Sequence, residues 1–541
     1  MVNGDILDSI TLLNGSYPQR FGNRLGAELD FQMREGSRER PQIRVGVSGT
    51  DASVVVEGPL GAHKAGSWLF SARKSYLDML LDQISDDNDF GFGFSDLQGK
   101  FVYDFTARHR LELSLLAGRS RLDQDVEPGD LNDVQDGRNA AQLANAAWRF
   151  TASPSFVITN RVAVAGNQYS DKNLNGFELS RGGGLDLTWR TDIAKTMRPS
   201  LTIEAGAQVQ RQQRERSRSI FFDPTPVSIE SYDDSAVVSS AYAQARWSSS
   251  RITVTPGARV DHWSLTSETG LSPWVQADVR ITDSTKLRAG GGIYRQAPSI
   301  EQVSGVNGGP LTHERAYHLD VGFEHLIRPD LRWQVTLYNR EERDVLRLPG
   351  SDVRLDRDCL CSSPTSPWIN ALDGYARGIE LLVQRRNAAG LSGWASYSLG
   401  FNRYRDRTTG EAFDGDFDQR HTLNLYALYR LSHRFSLAAK LRAGSNVPAP
   451  GYWVQQGDNY FVGPERNTLR VPAYLRLDVR GTRTFNWRDK RLTLFVEALN
   501  VLGHDNVRFN TPFVSFRTGQ AFGMFESMIP FVPSAGILLE F

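Results

Sequence analysis

The chain has no apolar run approaching the ~18 residues that a membrane-spanning helix needs. It has no excess of either charge, since 62 basic residues balance 62 acidic ones. That balance argues against a nucleic-acid-binding protein, which carries a basic bias. Cysteine is nearly missing: Cys359 and Cys361 flank Leu360 and are alone. Two thiolates are too few for a structural zinc site without other ligands. They read as a small loop staple or a pair of free thiols. Helical periodicity is scarce too, and Tyr76–Ile84 is the best candidate, one or two turns long. Met1-Val2-Asn3 opens no secretory leader, because the basic start and the apolar core are both absent. A secreted protein would need such a leader upstream.

What the 541 residues do contain is strand after strand from Pro41 to the end. In 473–483, Leu475, Leu477 and Val479 oppose Arg476, Asp478 and Arg480. In 491–499, Leu492, Leu494, Val496 and Ala498 oppose Arg491, Thr493 and Glu497, and in 435–442, Phe435, Leu437, Ala439 and Leu441 oppose Ser436, Lys440 and Arg442. Strand side chains alternate between two faces, so these segments suit lipid on one side and a polar lumen on the other. A β-barrel is the membrane architecture compatible with a mean hydropathy of −0.39, because only every second residue meets lipid. A soluble propeller would show a blade repeat of roughly 40–50 residues, and none is visible.

The last strand fits the same reading. Ala535, Ile537, Leu539 and Phe541 share one face, and Gly536, Leu538 and Glu540 share the other. An apolar edge strand invites aggregation, and a closed barrel removes the edge by pairing the last strand with the first. Short connections are expected near Pro59–Ala65, Ala107–His109, Ser153–Ser155, Asp192–Pro199 and Trp487–Asp489. Longer ones are expected at Tyr76–Asp89, Asp123–Asp136, Gln213–Asp234, Arg295–His313, Arg343–Asn370, Arg403–Asp418, Gly444–Arg470 and His504–Pro530. Outer-membrane barrels alternate short periplasmic turns with long outer loops. Counting between connections predicts an all-β, transmembrane antiparallel barrel of about 22 strands over residues 38–541. Residues 1–37 are glycine-punctuated, with short strand-like pieces such as Ala27–Met33, and too few to bury a core alone. They must pack against or inside something larger. Trp189, Trp247 and Trp487 sit near expected strand ends, where aromatic girdles lie.

Several stretches, in their order and spacing, resemble the TonB-dependent receptor family of outer membranes. Asn14 to Asp30 followed by Arg34-Glu35-Gly36 is similar to the end of that family's plug domain. Gly291–Pro298, His313–Gly322, Gly374–Glu380, Phe417–Thr422 and Leu494–Leu502 are similar to its barrel motifs. The resemblance implies a 22-stranded barrel with residues 1–37 as a plug remnant. It implies a receptor that binds a scarce nutrient (siderophore, vitamin, peptide or glycan) on its outer side and imports it with energy from the TonB complex, were the plug's remainder present. The alternative is a passive or structural barrel. Implied partners are outer-membrane lipid, the barrel-assembly machinery through the last strand, and the ligand; the expected state is a monomer.

Enzymatic chemistry finds little footing. His313-Glu314 lacks the second histidine of a zinc-protease helix, no G-x-S-x-G turn occurs, and Asp418 near His421 reads as a salt-linked strand start. Gly182–Gly184 and Gly290–Gly292 lack the lysine-serine pair of a phosphate loop and read as relief of crowding in strands. No cofactor or metal is expected. For ligand capture the candidates are Tyr294, Arg295, Tyr338, Arg340, Arg403, Tyr404 and Arg405, with Trp453 and Tyr460 in a long loop. Arginines fork onto carboxylates or phosphates and aromatics stack on flat ligands.

Overall fold

Twenty-two antiparallel strands, from Gln42–Ser48 to Val532–Glu540, close into one barrel. A three-residue strand, Ala412–Asp414, adds to its upper rim. The computed structural model describes residues 3–18, 20–76, 90–124, 131–222, 224–350, 352–356, 359–362 and 366–541. Closure is made by the last strand. Val45 lies opposite Leu539, Val47 opposite Ile537 and Gly46 opposite Leu538. On its other edge Leu494 faces Ile537 and Val496 faces Ala535. Phe541 extends the seam by exchanging backbone hydrogen bonds with Ile43. On the lumen side Arg44 and Glu540 pair at 2.6 Å across the same seam.

Alternation sets which side chains meet lipid. Leu113, Leu115, Val162, Val164, Leu185 and Leu187 all point outward, and Glu112, Ser114, Ala163 and Asp186 point inward between them. His109, Trp148 and Phe150 stack on the outer face just above the turn at 107–108, with ring centroids 4.7 to 6.1 Å apart. Trp247 and Trp487 are likewise exposed beside short turns, whereas Trp189 lies well up its strand, level with Val162. Aromatic rings suit the boundary where one part of the ring is apolar and another is wet.

The short connections lie where expected, except that the strand covering Asp192 runs on to Arg198. The expected long connection Gln213–Asp234 does not exist. Leu201–Phe222 and Thr225–Ser248 are strands of 22 and 24 residues that meet almost directly, so their hairpin rises well above the neighbouring wall. A helix, Ile300–Ser304, braces it. Ser299 and Gln302 form a capping box, Ile300 packs on Ala236, Val238 and Trp263, and Glu301 pairs with Arg216. The helical candidate Tyr76–Ile84 lies, beyond Tyr76, outside the described residues. Cys361 is disulfide-bonded.

Residues 3–18 and 20–37 lie inside the barrel. Leu7–Leu13 and Glu28–Met33 form a hairpin. Asn3 reaches Ser71 and Gln98 at 2.8 and 3.2 Å, while the turn at 15–25 is held by the strands between Ile252 and Arg328, which stand across the ring in sheet order. Tyr17 and Leu25 pack on Tyr294 and Ala316. Gly22 has φ +39°, and a Cβ there would fall 1.9 Å from Arg259 Nε, so only glycine lets this buried arginine pass. Arg259 ion-pairs with Asp261 at 2.8 Å and donates to the Arg20 carbonyl. Between the hairpin and the far wall a hollow of about 900 Å³ remains, lined by Lys100, Glu112, Arg161, Arg190, Asp192 and Glu204 among others.

Lipid face and lumen face predict opposite tolerance. Val164→Arg puts a charge in the apolar band and should cost roughly 2–4 kcal/mol. Ala163→Arg, one residue away but facing the hollow, should cost less than about 1 kcal/mol. Equilibrium urea unfolding in lipid vesicles, with heat-modifiable gel migration as the fold check, measures both.

Candidate ligand-binding site

The lumen wall formed by Glu314–Arg328, Leu331–Arg347, Ile369–Arg385 and Gly390–Asp406 carries a ladder of aromatic and charged groups. Register explains the ladder. Opposed residues on neighbouring strands share a face, so Asp320 stands beside Tyr338 and His318 beside Arg340. Tyr338 lies across Gly378 and Gly400, where a Cβ on either would come within 2.8 Å of its hydroxyl. Arg340 pairs with Glu342 at 2.8 Å, and the other Glu342 oxygen accepts from the Tyr404 hydroxyl at 2.6 Å. Arg340 Nε is buried without a partner among the described residues. Tyr338 and Arg340 border a hollow of about 670 Å³, closed on its inner side by residues 14–16 and 26–27.

The same wall anchors the amino-terminal segment. The Ser16 amide donates to Asp320 at 2.6 Å, His318 Nδ1 lies 2.8 Å from the Gly15 carbonyl oxygen, and Tyr294 donates its hydroxyl to the Tyr17 carbonyl at 2.7 Å. Tyr294 also stacks on His318 with centroids 4.2 Å apart. Among the candidates, Tyr294 therefore holds residue 17 and is fully buried, while Tyr338 and Arg340 face the hollow. Tyr404 faces the lumen too. Arg403 and Arg405 flank it and point to the other face, because a strand alternates. Arg295 is likewise opposite Tyr294 and donates to the Leu271 carbonyl at 3.2 Å. His318, Asp320 and Glu342 were not among the sequence candidates. Period-2 counting along 314–322 from Tyr294's partner Ala316 would have placed the first two on the lumen face.

Above the wall the long connections fold on one another. Trp453 and Tyr460 belong to this layer and serve its own packing. Trp453 is buried with Ala449, Val471, Val514, Ala521 and Met524, and Tyr460 packs edge-on against Phe525 at 5.2 Å. Strands Trp453–Gln456, Asn459–Val462, Gln520–Phe522 and Phe513–Val514 form one small sheet, joining the last two long loops. A polar latch ties them to the barrel. Arg347 pairs with the fully buried Asp406 and donates to the Tyr452 hydroxyl at 3.3 Å. Tyr452 donates to Glu411 at 2.8 Å. Burial, with the Glu411 carboxylate beside it, pushes the Tyr452 hydroxyl above its ordinary value, so it stays a donor. Arg466 spans Asp352 at 3.1 Å and Asp416 at 2.7 Å, and Phe413 lies between the guanidinium groups of Arg347 and Arg466. Burial alone would lower Arg466, but the two carboxylates overcome it and hold it above its ordinary value.

No hydrolytic arrangement forms at the positions weighed for one. Asp418 accepts from the Asn402 amide and pairs with Arg470 at 2.7 Å, while His421 Nδ1 meets the Tyr397 hydroxyl at 2.7 Å. Gly290 leaves room for Ser16, whose Cβ would stand 2.6 Å from an added methyl. No cluster of three metal-ligating side chains occurs among the described residues.

A family model described as TonB dependent receptor-like, beta-barrel, matches residues 64–501. No curated protein matches the sequence. Solved structures do. The ferric enterobactin receptor PfeA of Pseudomonas aeruginosa superposes with a TM-score of 0.76 at 16% identity, covering 100% of this chain and 87% of that one. BauA, the ferric preacinetobactin receptor of Acinetobacter baumannii, gives 0.72 at 11% identity, covering 100% and 86%. The ferric-catecholate import receptor Fiu of E. coli gives 0.74 at 10%, covering 99% and 86%. At these identities the likeness is one of fold.

Breaking the latch should free the loops and spare the barrel. Asp406→Asn leaves the buried Arg347 with Glu411, 3.7 Å away, as its remaining carboxylate among the described residues, a loss of up to about 3–5 kcal/mol for such pairs. Limited proteolysis should then cut within 407–420 or 445–473 at least tenfold faster than in the parent, with unchanged heat-modifiable migration.

Proposed function

Because this chain belongs to the TonB-dependent receptor β-barrel family, an outer-membrane family of nutrient uptake, we propose that it captures an anionic, ring-bearing nutrient chelate of the ferric siderophore kind. Its site would be the lumen wall at Tyr338, Arg340 and Tyr404. A guanidinium that borders the hollow beside a phenol ring, with a second phenol next to it on the wall, suits a ligand that presents carboxylate or catecholate oxygens on flat rings. The three solved neighbours are receptors for ferric siderophores, which favours that ligand class over a vitamin, peptide or glycan.

The observation that carries the reading is the sharing of one wall. Arg340 and Tyr338 are register partners of His318 and Asp320, the residues that hold Gly15 and Ser16. A ligand drawing on Arg340 would therefore perturb the grip on residues 14–17, part of the segment 1–37 that we read as the carboxyl-terminal remnant of a plug domain. Transport would use TonB-supplied energy to move that plug. The barrel-assembly machinery, recognising the last strand, and surrounding lipid complete the expected partners of a monomeric receptor.

A passive barrel is the second reading, favoured by the hollow of about 900 Å³ beside the hairpin. Planar-bilayer recording of the purified chain separates the two, with large steady currents favouring the passive barrel.

Arg340→Gln should weaken ferric catecholate binding to the purified protein by about 10- to 100-fold, the worth of a charge-assisted hydrogen bond. Tryptophan-fluorescence titration measures it. Equal affinity in parent and variant would remove Arg340 from the site, and no binding across a panel of siderophores would remove the ligand class.

A further inference from the structure

The outer face of the strands from Gly66–Ser75 to Leu201–Phe222 carries two touching hollows of about 580 and 560 Å³, which share Ser95, Arg119, Ala140 and Gln168. Their outward position follows from register. Gln98 and Ser71 face the lumen, where Asn3 meets them, so Leu97 and Ala72 face out. Rung by rung the same outer face runs through Leu97, Ala117, Gln142, Gly166 and Leu185. The next rung up carries Lys74 and Arg119, and the one above carries Arg121, Arg138 and Arg181.

Height decides what these cations meet. Arg119 lies about ten residues above the His109 turn, which at ~3.3 Å per residue and a ~40° tilt is roughly 25 Å, the height of the apolar band of an outer-membrane barrel. The five cations therefore stand at the headgroup level of the outer leaflet, above a furrow floored by Ala117, Gln142 and Gly166 and flanked by Leu97 and Leu185. Local acids do not cancel them. Asp123 and Asp136 pair with Arg121 at 2.7 and 2.9 Å, Asp136 with Arg138 at 2.7 Å, and Glu178 lies 3.6 Å from Arg181. These three carboxylates sit a rung higher, farther from the membrane; Glu215 is the acid on the lower rung, at the far side of the hollow. Lys74 and Arg119 make no ion pair among the described residues, and the Arg121, Arg138 and Arg181 side chains are 57, 64 and 65% exposed.

We propose that this face is a specific site for a lipid of the outer leaflet whose headgroup bears phosphate. The phosphate would lie among Lys74, Arg119, Arg121, Arg138 and Arg181, and an acyl chain would lie in the furrow between Leu97 and Leu185. Arginine forks onto phosphate oxygens, and each cation at a membrane surface adds about 1 kcal/mol toward an anionic headgroup.

The test is native mass spectrometry of the whole protein released from vesicles doped with bisphosphorylated lipid A or with its dephosphorylated form. The parent should retain the phosphorylated lipid and not the dephosphorylated one, and millimolar inorganic phosphate should not displace it. R119Q/R121Q/R138Q should retain about a hundredfold less, with unchanged heat-modifiable migration. R119Q alone, which breaks no ion pair, should retain about fivefold less and serves if the triple variant fails to fold. Equal retention of both lipid forms, displacement by inorganic phosphate, or retention unchanged in the folded variants would each overturn the site.

Discussion

In a bilayer no water is available to a backbone amide, so each N–H and C=O in the apolar band needs a partner within the protein. A sheet meets that demand only by having no edge. The pairing of Val532–Glu540 with Gln42–Ser48 is thus the contact on which the other strands depend. Its chemistry serves both sides of the wall at once. Val45, Val47 and Ile537 present apolar surface to lipid, and Arg44 with Glu540 presents a compensated ion pair to the lumen. The same division repeats at every rung, and it is why a chain with balanced charge and modest hydropathy can live in a membrane.

The interior is polar yet seldom unpaired. Arginines on the wall meet carboxylates on neighbouring strands, as Arg73 meets Asp96 and Arg161 meets Asp192. Where the amino-terminal segment touches the wall, backbone carbonyls and amides take over as partners, as at Gly15, Ser16 and Tyr17. Tyr338 and Arg340 differ in also bordering a hollow next to those anchors. A wall that both grips the segment and borders that hollow can report occupancy of one to the other.

Legibility in the sequence followed the lipid. Where lipid touches the strand the apolar period is strict, so Phe435–Gly444, Tyr474–Trp487, Lys490–Leu499 and the closing strand were readable, as was the strand number. Above the lipid the outer face is wet and the period vanishes. Gln212, Gln213, Arg214, Glu215, Arg216, Ser217 and Arg218 look like a loop and are a ladder of paired strand residues. The short helix was signalled by Ser299 and Gln302 at capping-box spacing, which a search for apolar periodicity passes over. At the site, residue type was a fair guide and sequence adjacency a poor one. Arg403-Tyr404-Arg405 reads as a cluster, but alternation sends its arginines away from its tyrosine. Trp453 and Tyr460 were legible as loop aromatics, and only the fold of two distant loops onto each other shows that they pack a core.

The hairpin inside the barrel has its own consequence. Ile10 faces Phe31 and Leu12 faces Leu29, leaving four large apolar side chains exposed on one side of two short strands. Such a piece has no stable existence in water, and its hydrogen bonds to the wall require a wall already formed. Yet the wall is sealed by strands nearly a full chain length apart, so the seam is the contact of greatest sequence separation and the slowest to be found. The amino-terminal segment must therefore be held inside a nearly complete cylinder as the seam shuts, like a ship assembled within its bottle. Misplacement at that moment would be slow to mend, since the wall's grip is a set of hydrogen bonds to the segment's own backbone.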